Sequence, residues 1–521
     1  MTENFNYLFQ YLEKENITID KTEFEFQIQS HPAYPSLLSI TDTLSFFSID
    51  NLATRVAKEQ IDDLPTQFIV YLNEELNPPG LFFIEKKGEN YSILKDKNTN
   101  TISLQELEQR WLEIVLVVEK QEFEPTKIKK NNFIGFFISL LIPALGGVLY
   151  SLNATAKEIL FLLLPIIGVL FSVAALKDLF DAKSELLNSF CNMKASTSCD
   201  TIVGSNKWKI FEIVNFSDLS MVFFSFQFIG LFFSILTNNI DSFFMLQKIL
   251  LVFAVPVIFA SLYYQKYVEK KWCPICLVII SIILLEFGYL LVFQKINFTI
   301  HIQSILLYGL VFLSILIAWL GLKKLLTSQK ELKEFHFKDS RFMRNYEVFR
   351  NNLMAYGKMQ LPETPIIIGN KDSSLELALI TSPFCGYCKE THELLEKILF
   401  KNQQYLKLRI LISADIDSIN EERKTFFRIL MSIYLQNGAS SFLEALTNWF
   451  TNKDLKKWLE SYNHDFEREK IDSIYRLQNQ WCIDNKFYQT PLIFINGYSY
   501  PKMYERKNLV YFIDDLMEDK F

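Results

Sequence analysis

The sequence predicts a multidomain protein in which an α-helical membrane bundle of about six spans lies between two soluble domains. Half of the 521 residues are hydrophobic and 48 are Phe, which is typical of a membrane portion joined to soluble portions. Six of the seven cysteines form three close pairs: the loop pair Cys191/Cys199, the membrane pair Cys273/Cys276 and the C-terminal pair Cys385/Cys388. Thiols arranged along a membrane in this way indicate electron transfer by disulfide exchange.

Charge and histidine content argue against two other kinds of function. The net charge of −6 gives no reason to expect nucleic acid as a partner. The five histidines are scattered without metal-ligand spacing, so no metal cofactor is expected. The N-terminus lacks the basic start and apolar core of a secretory signal peptide, so we expect the internal spans to direct any export.

Residues 1–125 are predicted to form a soluble α/β domain of short elements separated by Asn, Pro and Gly turn signals. An early helical stretch opens the domain. The elements predicted after it are strands at Gln67–Leu72, Gly80–Lys86, Asn90–Lys95 and Ile114–Glu119, and a helix at Ile102–Trp111.

Four motifs of this domain are His31-Pro-Ala-Tyr-Pro-Ser-Leu-Leu, Leu64-Pro65, Phe82-Phe83 and Trp111–Val118. In this order they resemble the bacteriocin-processing cysteine peptidase family, which implies a papain-like α+β fold with a Cys-His-Asp site. The chemistry departs from that family, because no cysteine precedes Cys191 and the strand expected to carry the catalytic His reads Gly80-Leu-Phe-Phe. We expect a degenerate domain that binds peptide or merely packs, in which His31 is structural.

Six apolar segments make up a predicted membrane domain over residues 133–325, each near the ~20 residues that a helix needs to cross the hydrocarbon core. One segment contains a carboxyl group, Glu286, and such a group inside a span is a functional candidate by default. The structural alternative is a protonated side chain bonded to a neighbouring helix. The segments are Phe133–Leu152, Ile159–Leu176, Leu219–Ile240, Ile249–Gln265, Cys273–Phe293 and Ile296–Leu322.

A second soluble α/β domain is predicted over residues 340–521, where a buried strand leads directly into a C-x-x-C and a helix. A helix N-terminus stabilises a thiolate at Cys385, and Cys388 one turn into the helix can attack a mixed disulfide. Half of a zinc site is the alternative, but no second pair or His lies at suitable spacing. The predicted elements are a strand at Leu375–Thr381, a helix from the C-terminal pair to about Phe400, a strand at Leu406–Ala414 and a helical region over 420–485.

Thr490-Pro491 precedes a further strand and resembles the cis-proline loop of thioredoxin-like proteins. This resemblance covers roughly residues 365–521 and implies a thiol-disulfide oxidoreductase with a helical insertion. The seventh cysteine, Cys482, has no neighbouring cysteine in the sequence. We interpret it as a buried thiol, with a resolving cysteine as the alternative.

The loop pair has the spacing Cys-x7-Cys and is followed by Ser205, Trp208, two spans and the C-x-x-C of the membrane pair. This order resembles the vitamin K epoxide reductase family, whose bacterial members are often fused to a thioredoxin-like domain. The resemblance covers about residues 155–325. Two departures concern the quinone contacts: no glycine-bearing turn follows Trp208, and Ile280 stands where animal members have a tyrosine, four residues after Cys276.

The resemblance implies a relay of disulfide exchange. The C-terminal pair oxidises exported protein or peptide thiols and is reoxidised by the loop pair through Cys191. Cys199 then exchanges with Cys273, and Cys276 passes electrons to a quinone, either ubiquinone or menaquinone. The further candidates for quinone or proton handling are Ser205, Trp208 and Glu286.

The relay sets an expectation for membrane topology. The loop pair, the start of the Cys273 span and the C-terminal domain must share one side. Parity places residues 1–125 there as well if Phe133–Leu152 crosses the membrane, and on the opposite side if that segment re-enters instead. Disulfide formation belongs outside the cytosol, so we expect a bacterial cytoplasmic (inner) membrane protein whose redox sites face the extracytoplasmic side. The positive-inside rule opposes this orientation. The lysines that count against it are Lys127, Lys129, Lys130, Lys266, Lys270, Lys271, Lys323 and Lys324.

Two alternative functions fit the same sequence. A reductase or isomerase would run the same relay in reverse and keep exported cysteines reduced. A non-proteolytic accessory of a peptide or bacteriocin exporter would bind peptide through residues 1–125, with the redox domains serving that cargo.

Overall fold

The computed structural model describes residues 5–73, 79–88, 90–94, 99–119, 133–152, 154–176, 216–293, 302–462 and 465–519. The loop pair, Ser205 and Trp208 lie outside the described residues. The chain divides into two compact units, Met1–Glu25 with Ile40–His336 and Phe26–Ser39 with Phe337–Phe521.

The N-terminal part of the chain folds into α-helices and the strands of one β-sheet. The helices are α1 (Asn6–Lys14), α2 (Lys21–Gln29), α3 (Leu37–Phe46) and α4 (Leu104–Arg110), and the strands are β1 (Asn51–Arg55), β2 (Gln67–Leu72), β3 (Gly80–Lys87), β4 (Asn90–Leu94), β5 (Thr99–Ser103) and β6 (Trp111–Val118). The strands form one antiparallel sheet in the order β1-β6-β2-β3-β4-β5. Alternate residues such as Phe68, Val70 and Ile84 are buried in one core with Leu107 of α4.

The predicted strands and helix of this region are confirmed, with ends shifted by a few residues. Sequence reasoning missed β1 and β5, which lie at the two edges of the sheet. Their sequences, Asn-Leu-Ala-Thr-Arg and Thr-Asn-Thr-Ile-Ser, are mostly polar. An edge strand needs few buried side chains, so its hydrophobic alternation is weak.

The position expected for a catalytic His in the peptidase family is apolar and buried. Phe82 and Phe83 of β3 occupy it and are both buried. The Nδ1 atom of His31 accepts a hydrogen bond from the Ala33 N–H at 3.2 Å, which ties the ring to its own turn. The papain-like assignment of this domain stays a prediction.

Five described helices are long and apolar enough to cross a membrane. They are α6 (Ala156–Ala175), α7 (Phe216–Leu236), α8 (Ile240–Tyr263), α9 (Pro274–Phe293) and α10 (Ile302–Met343), and α5 (Phe133–Ser151) covers the first predicted segment. Each of the five contains a stretch of at least 18 mostly apolar residues, which is close to the length that spans the hydrocarbon core.

Two of these helices extend beyond the predicted spans. Helix α8 begins at Ile240 rather than at Ile249, because Lys248 is accommodated within the helix. Helix α10 continues past Leu322 to Met343, because the Lys, Glu, Gln and Leu residues that follow are good helix formers.

Helices α6 and α7 approach each other closely near their connected ends. A Cβ atom at Gly168 of α6 would collide with the Phe224 ring of α7, so the glycine makes room for that ring. One turn later, Ser172 Oγ lies 2.9 Å from Ser220 Oγ. Small residues allow such close packing between membrane helices.

The C-terminal part of the second unit has a thioredoxin-like fold. Its strands are β7 (Ile367–Gly369), β8 (Leu375–Thr381), β9 (Leu406–Ile412), β10 (Leu492–Ile495) and β11 (Tyr498–Ser499), in the sheet order β11-β10-β8-β9-β7. Its helices are α11 (Tyr346–Met354), α12 (Cys388–Lys401), α13 (Glu421–Asn437), α14 (Ala439–Asn452), α15 (Leu455–Ser461), α16 (Arg468–Asp484) and α17 (Ile513–Glu518). Strands β8 and β9 are parallel and joined through α12, whereas β10 runs antiparallel to β8. Helices α13 to α16 are the predicted helical insertion.

Candidate redox centres

The C-terminal pair lies at the junction of β8 and α12. Cys385 precedes the helix in a turn that its own N–H closes by donating to the Ser382 carbonyl at 3.0 Å. Cys388 is the first residue of α12 and is fully buried, whereas Cys385 is partly exposed. The predicted helix therefore starts at the second cysteine rather than at the first.

The loop at Thr490 faces this pair. The Thr490–Pro491 peptide bond is cis, and the thiol of Cys385 donates to the Thr490 carbonyl at 3.2 Å. The Cys385 thiol therefore faces the backbone of the cis-proline loop.

The two thiols of the pair have opposite electrostatic environments. Burial opposes a thiolate at Cys385, but hydrogen bonds from the Thr490 side chain and from the backbone of Tyr387 and Cys388 outweigh it and lower the Cys385 pKa. Burial is the main cause at Cys388 and raises the pKa of that thiol. These opposite shifts favour a thiolate at Cys385 and a protonated thiol at Cys388.

An aromatic cluster from the helical insertion supports the turn that carries Cys385. Phe384 packs against Trp449 of α14, with ring centroids 4.9 Å apart, and against Phe426 and Phe427 of α13. The Trp449 Nε1–H also donates to the Pro383 carbonyl at 2.7 Å. Sequence reasoning missed these contacts, because they join residues that are far apart in the chain, such as Trp449 and Pro383, which are 66 residues apart.

The membrane pair lies at the start of α9. Cys273 is fully buried, and its N–H donates to Gln265 Oε1 at 3.0 Å. The Cys276 N–H donates to the Cys273 sulfur at 3.3 Å, so one helical turn holds the two sulfurs near each other. Cys273 packs with Ala174 and Ala175 at the end of α6.

Cys276 lines an apolar cavity of about 280 Å³ inside the bundle. The walls are mainly aromatic and aliphatic, and the hydroxyl groups of Ser217, Ser220 and Ser261 supply polar atoms. Ile280, four residues after Cys276, also lines the cavity and is part of its apolar wall. Mostly apolar walls with a few hydroxyls and one thiol are typical of a site for an apolar ligand.

The residues that line the cavity show which ends of helices α6, α7, α8 and α9 lie close together. Its lining includes Ala175 at the end of α6, Ser217 at the start of α7, Ser261 near the end of α8 and Cys276 at the start of α9. The segment that carries the loop pair connects α6 to α7, and both of its attachment points are therefore at this end.

Helix α10 joins the same end through a buried ionic contact. Asp218, in the first turn of α7, accepts hydrogen bonds from Trp319 Nε1 at 3.2 Å and from Lys323 Nζ at 2.6 Å. The chain thus leaves the bundle through α10 at the end that carries Cys276.

Glu286 lies in a buried polar cluster formed by three helices. Gln227 Nε2 of α7 donates to Glu286 Oε2 at 2.9 Å and to Gln247 Oε1 of α8 at 3.2 Å. All three side chains are fully buried. Among the described residues, Gln227 Oε1, Gln247 Nε2 and Glu286 Oε1 have no hydrogen-bond partner. Sequence reasoning found Glu286 by its charge but missed the two glutamines.

Cys482 of α16 is a buried thiol. It packs with Ala378, Leu411 and Phe494 on the face of the sheet, and burial raises its pKa. Within the described residues, no group of three or more His, Cys, Asp or Glu side chains has a metal-binding arrangement.

The spanning helices, the thioredoxin-like fold and the two described cysteine pairs define a membrane thiol-disulfide oxidoreductase. Residues 159–291 match the vitamin K epoxide reductase family, so the chain contains a domain of that family. A search of curated proteins gave no match.

Several solved structures are similar to part of the chain. A periplasmic thioredoxin-like protein from Salmonella enterica serovar Typhimurium is 18% identical, with 33% of this chain covering 97% of that one at a TM-score of 0.26. Oxidised BdbD from Bacillus subtilis is 12% identical, with coverage of 29% and 92% and a TM-score of 0.25. DsbA2 from Pseudomonas aeruginosa is 19% identical, with coverage of 31% and 98% and a TM-score of 0.24.

Proposed function

We propose that the protein oxidises thiols of exported proteins or peptides and passes the electrons through its three cysteine pairs to a membrane quinone. The observation that carries the proposal is that two thiols lie in different environments, one accessible to water and one at an apolar cavity. Cys385 is partly exposed beside the Thr490 carbonyl, whereas Cys276 lines an apolar cavity within the bundle. A water-soluble client reaches the first, and a lipid-soluble acceptor reaches the second.

The exchange at the C-terminal pair conserves electrons and protons. A client thiolate attacks the Cys385 sulfur of the oxidised pair, and Cys388 leaves and takes up a proton. The second client thiol then displaces Cys385, which leaves as a stabilised thiolate. The client has formed one disulfide, and the pair holds two electrons.

The loop pair is the proposed carrier between the C-terminal and membrane pairs. Cys191 accepts attack from Cys385, and Cys199 then exchanges with Cys273. Support comes from chain connectivity, since the loop starts and ends where α6 and α7 border the Cys276 cavity. We retain the three-domain division at 1–125, 133–325 and 340–521 as part of the proposal.

The cavity residues fit a quinone as the final acceptor. Ser220 and Ser261 offer hydroxyls for the ring oxygens, and Phe223 and Phe253 offer apolar faces for the ring. When bound, a quinone supplies a site for two electrons and two protons. Ubiquinone and menaquinone both meet this requirement.

Glu286 is proposed to hold a proton within the bundle. An ionised carboxylate at a fully buried membrane position is costly, so the neutral acid is favoured there. The amide groups of the two glutamines can form a hydrogen-bonded cluster with either the ionised or the protonated form of Glu286. In the described orientation Gln227 Nε2 donates to the carboxylate and to Gln247 Oε1. After both amides flip, Gln227 Oε1 would accept from the protonated acid and from Gln247 Nε2.

The proposed location is the bacterial cytoplasmic membrane, with the redox sites on the extracytoplasmic side. A cysteine introduced at the exposed position Lys266, in a chain without its native cysteines, tests this side directly. We expect an impermeant maleimide to label it in intact cells. Labelling only after permeabilisation would place the Cys276 end in the cytosol.

Proteoliposomes that contain the full chain, a quinone and a reduced dithiol peptide test the function. We expect peptide thiols to disappear as quinol forms. Cys276→Ser should stop both changes, and Cys191→Ser should stop peptide oxidation while the membrane pair stays oxidisable by quinone. Cys482→Ser is the matched control and should turn over normally.

Trapped intermediates test the order of exchange. Cys388→Ala should accumulate a disulfide between Cys385 and Cys191, because Cys388 is the thiol that would release Cys191, and Cys191→Ala should leave Cys199 joined to Cys273. Mass spectrometry of non-reduced membranes detects both links. Normal turnover of Cys191→Ser would require direct exchange between the C-terminal and membrane pairs, and quinol consumption with thiol formation would reverse the direction.

A further inference from the structure

A buried polar cluster lies about one helical turn beyond the inner end of the cavity that Cys276 lines. Gln227 of α7, Gln247 of α8 and Glu286 of α9 form it, and we call it the inner cluster. Each of these helices lines the cavity with a residue about one turn nearer to the Cys276 end. These residues are Phe223, Leu250 and Ile283. Residues one turn apart share a face of a helix, so the inner cluster continues the cavity wall about 5 Å deeper into the bundle.

Two members of the inner cluster point back toward the cavity. A helical side chain leans toward the N-terminus of its own helix. The N-terminal ends of α7 and α9 carry Ser217 and Cys276, which both line the cavity. Gln227 and Glu286 therefore lean over the turns of their helices that line the cavity.

An aromatic ring closes the opposite side of the inner cluster. Phe243 lies one turn before Gln247 on α8 and is fully buried. A Cβ atom at Gly230, almost one turn after Gln227 on α7, would lie only 2.8 Å from the Phe243 ring. Glu286 Oε1 has no hydrogen-bond partner among the described residues, and with this side closed it is reached from the cavity side.

We propose that Glu286 is the general acid for one ring oxygen of the quinone, the oxygen that lies deeper in the bundle. This role rests on the proposed function and deepens it by naming the proton donor and the group that receives the proton. Ser220 and Ser261 line the cavity nearer to the Cys276 end, so their hydroxyls suit the other ring oxygen. A buried carboxyl group is held in its neutral form, which is the form that can donate a proton.

Electrons and protons balance in this step. Oxidation of the membrane pair to its disulfide releases two electrons and two protons, and reduction of a quinone to the quinol takes up two of each. Glu286 gives one proton to the deeper oxygen, and one thiol proton of the pair goes to the other oxygen. The remaining thiol proton returns to the Glu286 carboxylate, because an uncompensated charge at this depth is costly.

A single-turnover experiment in proteoliposomes tests the proton donor. The reduced full chain is mixed with a short-tailed ubiquinone, and quinol formation is followed by absorbance. Glu286→Gln keeps the shape of the side chain and a hydrogen-bond donor but has no acidic proton. It should slow quinol formation on the order of 100-fold. The affinity of the oxidised chain for the ubiquinone, measured by quenching of Trp fluorescence, should stay within a few-fold of the parent value.

Ser234→Ala is the matched control. It removes a fully buried hydroxyl of α7 that contacts the Tyr308 hydroxyl at 2.7 Å, beyond Gly230 and Phe243 as seen from the cavity. This variant loses a buried polar contact within the same bundle, yet it should form quinol at the parent rate.

Infrared difference spectroscopy gives a readout that does not depend on turnover. A chain whose seven cysteines are replaced by Ser cannot reduce the added ubiquinone. Binding should shift the carbonyl stretch of the protonated Glu286 carboxyl group to lower frequency, because that group gains a hydrogen bond. The shifted band should be missing from Glu286→Gln in the same background.

The outcomes separate this role from the function on which it rests. A parent-like rate in Glu286→Gln, or a carboxyl band that ubiquinone does not move, would refute the proton donor and leave thiol oxidation by quinone intact. Equal slowing by Ser234→Ala would assign the loss to packing in the bundle and overturn the role as well. Failure of the parent chain to form quinol would refute the quinone acceptor itself.

Discussion

Replacing Arg428 by Met is expected to loosen the helical insertion that supports the C-terminal pair. Arg428 of α13 forms a bidentate contact with Asp472 of α16, from Nε to Oδ1 at 2.9 Å and from a terminal nitrogen to Oδ2 at 2.7 Å. The side chains are only 12% and 7% exposed. Without Arg428, the buried Asp472 carboxylate has only the more distant Arg476 as a positively charged neighbour. We expect this loss to lower the free energy of unfolding by about 3 kcal/mol.

Hydrogen exchange of the full chain in detergent measures this cost locally. About 3 kcal/mol should raise the open fraction of α13 and α16, and hence their exchange rates, on the order of 100-fold. Arg476→Met is the matched control, since Arg476 makes a similar contact with Asp417 at an exposed position. Equal exchange in Arg428→Met and Arg476→Met would refute the reasoning that burial decides the cost.

The same ion pair predicts a pH dependence. The Arg428 guanidinium holds the Asp472 pKa below its usual range, so its stabilisation is present above the unfolded-state pKa and is lost as pH falls through the lower folded-state value. Acid unfolding of α16, followed by hydrogen exchange, should begin at higher pH in Arg428→Met than in the parent. Alkylation of Cys385 in the reduced chain should persist below the ordinary cysteine pKa of about 8.5, and a half-point at or above that value would contradict the thiolate assignment. Gly168→Ala should destabilise the bundle by about 1–3 kcal/mol in detergent melts. Purified residues 1–125 should leave leader peptides uncleaved in a mass-spectrometric assay.

Local patterns made much of the fold predictable. The strand before the C-terminal pair, the helix after it and the apolar segments all follow from periodicity and composition within short windows. Errors appear where charge was used to end a helix. Lys248 lies inside α8, and α10 runs on to Met343, because neither helix needs to be apolar along its whole length.

The partners of the candidate site residues were less predictable, because they lie far apart in the chain. Gln227 and Glu286 are 59 residues apart on different helices, and Trp449 reaches the Pro383 carbonyl from 66 residues away. A single sequence identifies a buried carboxyl or a C-x-x-C by residue type, but it does not say which amide, hydroxyl or indole faces it. The contact between Thr381 at the end of β8 and His392 in α12 could likewise not be predicted from residue type.

Lysine counts illustrate how pairing changes a topological argument. The positive-inside rule treats Lys323 as a charge that holds its end of α10 in the cytosol. Its amine instead contacts Asp218, a side chain that is 1% exposed, so this charge is locally compensated within the bundle. Lys266 is exposed and its amine lies over the Tyr267 ring at 5.3 Å, so its positive charge still counts in the positive-inside rule. Pairing thus removes Lys323 from the charge argument and leaves the other lysines in it, and the labelling of a cysteine at position 266 tests the side on which the Cys276 end lies.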